Sequence, residues 1–509
     1  MIVKTKISSE WIYKFYKELE ANKVENHGLL IMKGDEIVFE EYAYPYSAEM
    51  PHTLFSVTKS IVSTAAGFAI DEGLFSLDSK IIELFSEYEA CKCDEWQSLT
   101  VRSVLTMQSG KKFSFTQDMT GNYAEMFMKA PFRKKKGFLY SNNDAHMVAA
   151  LVQKLSGQSL VDYLMPRLFE PLGIEKPEWE TNSIGECIGG TGAYLKLRDL
   201  AKIMRCYADG GVYNGKQIIP EWWTKEATKK QVDLGTYGEE DGYGYLFWLK
   251  NGIFSMNGMY GQQVSYLPEH DAVVAIFNCV INDKPNNRLI KTLLPKAFEG
   301  QADEQWDKKL AEYLANRAKM PRKCESLPAI PVGKTFYMTA VSDAIAKLMF
   351  PASLIPRSVT SSFAKRPAKN LDKVSFAVEK DVFTVEWLEE NDKVTINCGL
   401  DGNPRMSECE IKGYKYKIWA YAYSENGILK AVVKPINTLA TLDMEFEFSE
   451  DTVKIRIADK PSFEEFILNN VDKSSFVADN KWIQPIVIPT VKKVLSTATK
   501  PMVFKAKQK

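Results

Sequence analysis

The apolar residues of this 509-residue chain change their spacing along the sequence, and that change constrains the fold more than any other feature. Between about residues 95 and 230 they recur every three to four positions, as on one face of a helix. Beyond about residue 374 they recur at every second position, which is typical of strands. Because a chain of this length exceeds one ordinary core, we expect a mixed domain followed by a smaller β-rich domain.

The N-terminal region should combine one sheet with a block of helices. Its predicted strands are 28–33 and 36–42, which flank the hairpin turn Gly34-Asp35, and then 252–256, 262–267 and 272–277. Its predicted helices are 8–22, 56–70, 101–107, 143–155, 160–169, 197–209 and 288–299. This order predicts an α+β domain whose sheet is built from both ends of the segment, rather than a strict alternation of strand and helix.

A proline-rich stretch marks the expected boundary between the domains. A further helix, 304–319, leads to Pro321, Pro328 and Pro331, which suit a linker. We therefore predict a first domain at 1–300, a connecting helix and linker at 301–333, and a β-rich domain at 334–509. The alternating pattern of the last region fits an antiparallel sheet, sandwich or barrel, and does not choose between them.

Composition excludes several classes of function. Lys+Arg and Asp+Glu both number 65, so no global charge favours nucleic acid or an anionic membrane as a partner. No apolar stretch approaches the ~20 residues that span a bilayer, and the N-terminus reads as an amphipathic helix rather than a signal peptide. The eight cysteines are scattered and form no second Cys/His pair at metal-ligand spacing. We expect a cytoplasmic protein with a small-molecule substrate and no metal or other cofactor; the oligomeric state stays open.

The tetrapeptide Ser56-Val57-Thr58-Lys59 is the strongest chemical signal in the chain. It begins a probable helix that runs to Ile70 and closes at Gly73. Residues three apart on a helix are neighbours, so the hydroxyl and the amine can share one face. An amine kept unprotonated by burial and nearby positive charge can deprotonate a serine that attacks a carbonyl. Two other Ser-x-x-Lys matches, at Ser109 and Ser362, lie in a glycine turn and in a Ser/Pro/Lys-rich stretch that favour no helix.

A Ser/Lys pair also needs a group that returns the proton to the leaving group. The chain contains one Tyr-x-Asn, Tyr140-Ser141-Asn142, just before an apolar helix. Read alone, it is more simply a buried aromatic residue followed by a helix cap. Beside Ser56 and Lys59, it is a candidate for the proton shuttle.

These motifs resemble those of a known family. Two further segments, 99–110 and 189–201, resemble the helix-and-turn and the glycine-led helix entry of the serine β-lactamase and penicillin-binding-protein superfamily. Over roughly residues 10–300 the chain resembles that superfamily, and within it the class C β-lactamase-like esterases and amidases. The resemblance implies an antiparallel sheet flanked by helices, with Ser56 as the acylated nucleophile, Lys59 as its amine partner and Tyr140 as the acid/base. Asn142 would orient the substrate and Lys59.

The family's third element, usually Lys-Thr-Gly or His-x-Gly on a strand facing the serine, aligns with Met259-Tyr260-Gly261, followed by Gln262. The resemblance implies an oxyanion hole formed by the backbone N–H groups of Ser56 and Gln262. Gly261 suits a backbone that approaches the substrate closely. Tyr260, Gly261 and Gln262 are therefore candidate substrate-binding residues.

Met259 departs from the family pattern because it carries no charge. The cation that binds the carboxylate of penicillins or of cell-wall peptides is missing at this position, which favours neutral esters or small amides. The glycine-rich version of this element also resembles the nylon-oligomer hydrolases. In those relatives a loop tyrosine closes over the substrate, and Tyr123 is the candidate here, although an exposed loop aromatic residue is an equally good interpretation.

The sequence leaves three functional hypotheses. The first is a serine hydrolase that cleaves an ester or amide through an acyl-enzyme on Ser56. The second is a peptidase for D-amino-acid peptides or a weak β-lactamase. The third is a binding module that keeps the fold without turnover. His270, in a predicted hairpin turn, is not expected to act as a base, and Trp248 fits the wall of the pocket as well as the core.

Overall fold

The computed structural model describes residues 7–112, 122–134, 137–317, 323–341, 371–460, 489 and 502–508, except for 92, 183, 236–239, 390–391, 412–413, 437–438 and 440. The described chain divides into two compact units, the first ending at Arg317. Pro321 and the Ser-x-x-Lys match at Ser362 lie outside the described residues.

The first unit is built on one antiparallel sheet of eight strands. Along the sheet the strand order is β2-β1-β12-β11-β10-β9-β8-β7. The prediction of one sheet made from both ends of the segment is confirmed, because β1 pairs with the last strand, β12, and β2 pairs with β1 at the edge of the sheet. The strands of the sheet are β1 (Glu25–Lys33), β2 (Glu36–Tyr42), β7 (Val232–Asp233), β8 (Gly242–Tyr243), β9 (Trp248–Lys250), β10 (Ile253–Gly258), β11 (Gln262–Leu267) and β12 (Ala272–Cys279).

Two short pairs of strands lie outside this sheet. The first pair matters for the site because it joins the chain just before Ser56 to the chain that follows the glycines at 189–192. The pairs are β3 (His52–Thr53) with β4 (Tyr194–Leu195), and β5 (Val212–Tyr213) with β6 (Lys216–Gln217).

Twelve α-helices are described in the first unit. Most of them begin and end within a few residues of their predicted positions. The predicted helix 288–299 is instead two helices, α10 and α11, separated near Pro295, which has no N–H with which to continue a helix. The helices are α1 (Ser9–Ala21), α2 (Thr58–Asp71), α3 (Ile81–Leu84), α4 (Val101–Leu105), α5 (Tyr123–Lys129), α6 (Asn142–Ser156), α7 (Leu160–Leu164), α8 (Leu197–Ala208), α9 (Glu221–Ala227), α10 (Lys284–Thr292), α11 (Lys296–Glu299) and α12 (Glu304–Arg317).

Helices cover both faces of the sheet. Successive side chains of a strand point to opposite faces, and the strand β12 is buried along its whole length. Its Val273 and Ala275 face the core that contains α2, α6 and α8. Val274 and Ile276 face the second core, which contains α1 and α12. The buried strand β12 pairs with β11, and β11 pairs with β10. The burial of β12 on both faces therefore helps to fix β10 and β11 beside α2.

The second unit is a closed antiparallel β-barrel. Ten strands follow the order β16-β15-β14-β13-β22-β21-β20-β19-β18-β17. A parallel bridge between Gly399 and Tyr421 joins β16 to β18 and closes a ring of nine strands, and β17 pairs with β18 outside that ring. The strands are β13 (Thr335–Val341), β14 (Leu371–Glu379), β15 (Val382–Glu389), β16 (Asp392–Gly399), β17 (Arg405–Ile411), β18 (Tyr414–Glu425), β19 (Ile428–Pro435), β20 (Thr441–Phe448), β21 (Thr452–Lys460) and β22 (Met502–Gln508).

The barrel encloses a packed apolar core. Phe376 and Phe383 stack within it, and Phe446 packs edge-on against both, with ring centroids 5.5 to 6.0 Å apart. Trp387 and Ile455 are also almost fully buried. The structure thereby selects the barrel among the architectures that the alternating pattern left open.

None of the helices in the described part of the chain combines the length and the apolar composition needed to cross a bilayer.

Candidate active site

Ser56 lies in a tight turn that leads directly into α2. Phe55, just before it, has φ 47°, a left-handed conformation that costs a bulky residue about 1–2 kcal/mol. The ring of Phe55 is buried, and the residues Phe55–Val57 form one 3₁₀ turn before α2 begins at Thr58. The Leu54 N–H donates to the Ala193 carbonyl at 3.0 Å, which holds the turn against the chain before β4. Packing therefore fixes the half-buried serine at the start of a helix.

The amine of Lys59 meets three oxygen atoms. Its Nζ lies 2.8 Å from Ser56 Oγ, 2.6 Å from Asn142 Oδ1 and 2.6 Å from the Gly190 carbonyl oxygen. The side chain is only 1% exposed, so these contacts replace water almost completely. The structure brings the predicted serine and lysine into hydrogen-bonding contact.

Tyr140 and Asn142 approach Lys59 from the start of α6. Ser141 is the N-cap of that helix and accepts a hydrogen bond from the Asp144 N–H at 3.3 Å. The Lys59 Nζ lies 4.9 Å from the centroid of the Tyr140 ring. That ring also packs against Trp248, with centroids 5.2 Å apart. Trp248 thus lies beside the predicted proton shuttle, which agrees with a place in the wall of the site.

The glycine segment Gly189–Gly192 supplies a contact that the sequence reasoning missed. A Cβ at Gly189 would lie 2.4 Å from Ala149 Cβ, and one at Gly190 would lie 2.9 Å from Asn142 Cβ. Because Gly189 and Gly190 have no Cβ, the backbone can lie in direct contact with α6 and direct the Gly190 carbonyl at Lys59. Two adjacent glycines in a motif already matched to the family were the signal that could have revealed a close backbone approach.

The third element ends one strand and begins the next beside the serine. Strand β10 ends at Gly258, and β11 begins at Gln262 after a turn in which Tyr260 (φ 64°) and Gly261 (φ 85°) are both left-handed. The buried ring of Tyr260 packs edge-on against Phe55, with centroids 5.2 Å apart. A Cβ at Gly258 would lie 2.4 Å from the Leu54 carbonyl oxygen. The absence of that Cβ lets the third element approach the turn that contains Ser56.

Buried amide groups hold the third element from behind. The Gln262 side chain points inward, where its Nε2 donates to the Asn278 carbonyl at 2.6 Å. The Asn278 Nδ2 donates to the Gly261 carbonyl and to Asn286 Oδ1, both at 3.0 Å, and its Oδ1 accepts from Asn26 Nδ2 at 2.9 Å. Since the Gln262 side chain is engaged in these bonds, the backbone N–H of Gln262 is its candidate donor to a substrate.

Tyr123 differs from its predicted setting. It is the first residue of α5 rather than part of a loop, and it is 7% exposed. Its ring packs against His146, with centroids 4.8 Å apart. The capping side chain of Asn122, which accepts from the Glu125 N–H at 3.0 Å, starts the helix at this point. His270 lies in the turn between β11 and β12, with its ring stacked on Phe298.

The described residues contain no group of three or more His, Cys, Asp or Glu side chains arranged to hold a metal ion.

Comparison with known proteins decides the family. The sequence profile of the family described as Beta-lactamase matches residues 17–294, more than half of the chain. The chain belongs to the beta-lactamase family. The expected superfamily and its α+β fold are therefore confirmed, and the chain is a β-lactamase-fold protein related to hydrolases.

Several relatives of this beta-lactamase-family chain are known. The 6-aminohexanoate-dimer hydrolase of Paenarthrobacter ureafaciens is 24% identical over 278 residues, 48% of this chain and 70% of that protein. A penicillin-binding protein from Bacillus halodurans is 16% identical, with a TM-score of 0.43 over 55% of this chain and 99% of that one. An octameric penicillin-binding protein homologue from Pyrococcus abyssi is 15% identical, with a TM-score of 0.45 over 83% and 97% of the two chains.

A buried carboxyl group next to the site gives a pH-dependent prediction. Asp144 accepts from Ser109 Oγ at 2.9 Å, and burial raises the pKa of Asp144 to about 7, although hydrogen bonds from Ser109 and Ser141 oppose the shift. The native carboxyl group therefore binds its proton more tightly than the unfolded one, whose pKa is near 3.8. Its contribution to stability is complete below pH 3.8 and is lost as the pH rises through about 7.

Asp144→Asn removes this titration and keeps an acceptor for Ser109. The thermal stability of the variant relative to the parent should increase from about pH 4 to about pH 7 and stay constant above it. Melting temperatures of both proteins across this range test the expectation. A difference that does not change with pH would contradict it.

Proposed function

We propose that this protein is a serine hydrolase that cleaves an ester or amide bond through an acyl-enzyme on Ser56. The arrangement of acceptors around Lys59 carries the proposal. A neutral amine has two hydrogens and one lone pair. Asn142 Oδ1 and the Gly190 carbonyl oxygen can accept those two hydrogens, which leaves the lone pair directed at Ser56 Oγ, 2.8 Å away. This is the orientation that a general base for the serine needs.

In the proposed acylation, Ser56 Oγ forms a bond to the substrate carbonyl carbon while its proton moves to Lys59 Nζ. The negative oxygen of the tetrahedral intermediate accepts hydrogen bonds from the backbone N–H groups of Ser56 and Gln262. Tyr140 gives its phenolic proton to the departing alcohol or amine and recovers one from Lys59. The intermediate then collapses to the ester of Ser56.

Deacylation repeats these steps with water. A water molecule loses a proton to the Tyr140 and Lys59 pair as its oxygen attacks the ester carbon. Ser56 Oγ leaves and receives that proton. The net reaction consumes one water molecule, releases the acid and the alcohol or amine, and restores the side chains.

The residues of the third element support a neutral substrate. Met259 stands where family members that bind carboxylates carry a cation, so a free carboxylate at this end of a substrate would find no partner in its side chain. The relative named 6-aminohexanoate-dimer hydrolase makes a small amide a reasonable alternative to an ester. We therefore place uncharged esters and small amides first among the substrate classes.

A comparison of two chromogenic substrates tests this ranking. We expect a short p-nitrophenyl ester to be hydrolysed at a rate that falls to background in Ser56→Ala, and a chromogenic cephalosporin to react much more slowly. Hydrolysis of the cephalosporin alone would favour the β-lactamase or peptidase hypothesis. Binding of both without turnover would favour a binding module.

We also propose a cytoplasmic location, as the scattered cysteines suggest. Cys93, Cys187, Cys206, Cys324 and Cys398 are free thiols. Free thiols are typical of a reducing compartment.

A further inference from the structure

The contact between Lys59 and the Gly190 carbonyl depends on the backbone of Gly189 and Gly190, which have no side chains to anchor it. We propose that His146 is a positioning residue for Lys59, acting through Gly189 and Gly190. This inference rests on the proposed function, because it assigns His146 to the orientation of the general base.

His146 forms a hydrogen bond with the backbone of Gly189. It lies on α6, one turn after Asn142, and is 1% exposed. Its Nδ1 accepts a hydrogen bond from the Gly189 N–H at 3.1 Å. A ring nitrogen that accepts a hydrogen bond carries no proton, so the neutral imidazole must hold its hydrogen on Nε2. The peptide unit that follows leads to Gly190, whose carbonyl accepts from Lys59.

Glu186 stabilises this tautomer from the other side of the ring. Its Oε2 lies 3.6 Å from His146 Nε2, where it favours a hydrogen on that nitrogen. Burial raises the pKa of Glu186, but contacts with His146 and with Asn182 outweigh it and hold the pKa below its ordinary value. The Asn182 Nδ2 donates to Glu186 Oε2 at 2.8 Å, which fixes the carboxylate.

Tyr123 packs over the imidazole. This aromatic contact limits rotation of the histidine ring and keeps Nδ1 directed at Gly189. Tyr123, a candidate substrate-binding residue, therefore supports the buried ring of His146.

Helix α6 then supplies one of the two acceptors that orient the amine and supports the other. Asn142 binds Lys59 directly, and His146, one turn later, binds it through the Gly189–Gly190 backbone. Because Asn142 and His146 lie on one helix, that helix sets the position of the Asn142 side chain and, through the Gly189 N–H, of the backbone that carries the Gly190 carbonyl. Loss of the His146 contact should leave the amine with a single fixed acceptor besides the serine.

Two substitutions separate positioning from simple packing. His146→Asn places an amide oxygen close to the position of Nδ1 and can still accept from Gly189, whereas His146→Leu has similar bulk and no acceptor. We expect His146→Leu to slow acylation of Ser56 by a fluorophosphonate, and kcat for a p-nitrophenyl ester, by about 10- to 100-fold with little change in KM. His146→Asn should stay within about threefold of the parent.

The inference would be overturned if His146→Leu were acylated at the same rate as the parent. It would also be overturned if the leucine and asparagine variants lost the same amount of activity while thermal unfolding showed that both are folded. If Ser56→Ala is still labelled, the proposed function fails instead, so the two failures are distinguishable. Should the leucine variant not fold, ¹⁵N-histidine NMR of the parent decides. The inference requires an unprotonated Nδ1 and a protonated Nε2 on His146, and the opposite tautomer would reject it.

Discussion

Replacing Lys59 with methionine is expected to lower kcat/KM for an activated ester by about 10³-fold or more. The amine is the only side-chain base in contact with Ser56 Oγ among the described hydrogen bonds, at 2.8 Å, so its loss leaves the serine without a proton acceptor. Methionine has a similar length but cannot donate to Asn142 Oδ1 or the Gly190 carbonyl oxygen, and we therefore expect the variant to fold with a free energy of unfolding about 1–3 kcal/mol below that of the parent. Steady-state kinetics with a p-nitrophenyl ester, beside thermal unfolding, measures both effects.

Lys59→Arg is the matched control for charge. A guanidinium group stays protonated in proteins, so it places a cation near the serine but cannot act as a base. We expect this variant to be as inactive as the methionine variant. Activity within tenfold of the parent in either one would contradict the role given to Lys59.

Gly258→Ala is expected to reduce both stability and activity. The added Cβ would lie 2.4 Å from the Leu54 carbonyl oxygen, a backbone atom that cannot turn away. The strand β10 and the turn before Ser56 must separate, which we expect to cost about 2–4 kcal/mol of unfolding free energy. Because a displacement of about 1 Å can cost about 10²-fold in rate, kcat/KM should fall by at least that factor.

Gly157→Ala provides the comparison for Gly258→Ala. Gly157 ends α6 with φ 68°, and a Cβ there would have no atom within 4 Å. The substitution adds left-handed strain of about 1 kcal/mol without displacing any part of the site. We expect lower stability with unchanged kcat/KM. If Gly258→Ala keeps full activity, the close approach of β10 to the turn that contains Ser56 has no catalytic consequence.

The sequence could predict the features that depend on local patterns. The helix after Ser56, the hairpin at Gly34-Asp35 and the helix that begins after Ser141 all follow from spacing and capping residues close in the chain. The contact between Ser56 and Lys59 follows from their spacing on one helix. The approach of Tyr140 and Asn142 to this pair joins a separate segment of the chain, and no local spacing predicts it.

Other features depend on long-range packing and could not be predicted. The closure of the barrel rests on a contact between Gly399 and Tyr421, which strand alternation does not reveal. The short strands β7 to β9 are too brief to show a period. No local pattern marks His146 as functional, since its partners Gly189 and Glu186 are about 40 residues away in sequence. Tyr123 was placed in a loop because its helix, α5, spans only Tyr123–Lys129.

Intact-mass analysis after treatment with a fluorophosphonate tests the central claim most directly. We predict that the parent gains the mass of one phosphonyl group, that peptide mapping places it on Ser56, and that Ser56→Ala gains none. Labelling of the alanine variant to the same extent, or a parent that stays unmodified while folded, would contradict the assignment of Ser56 as a nucleophile activated by Lys59.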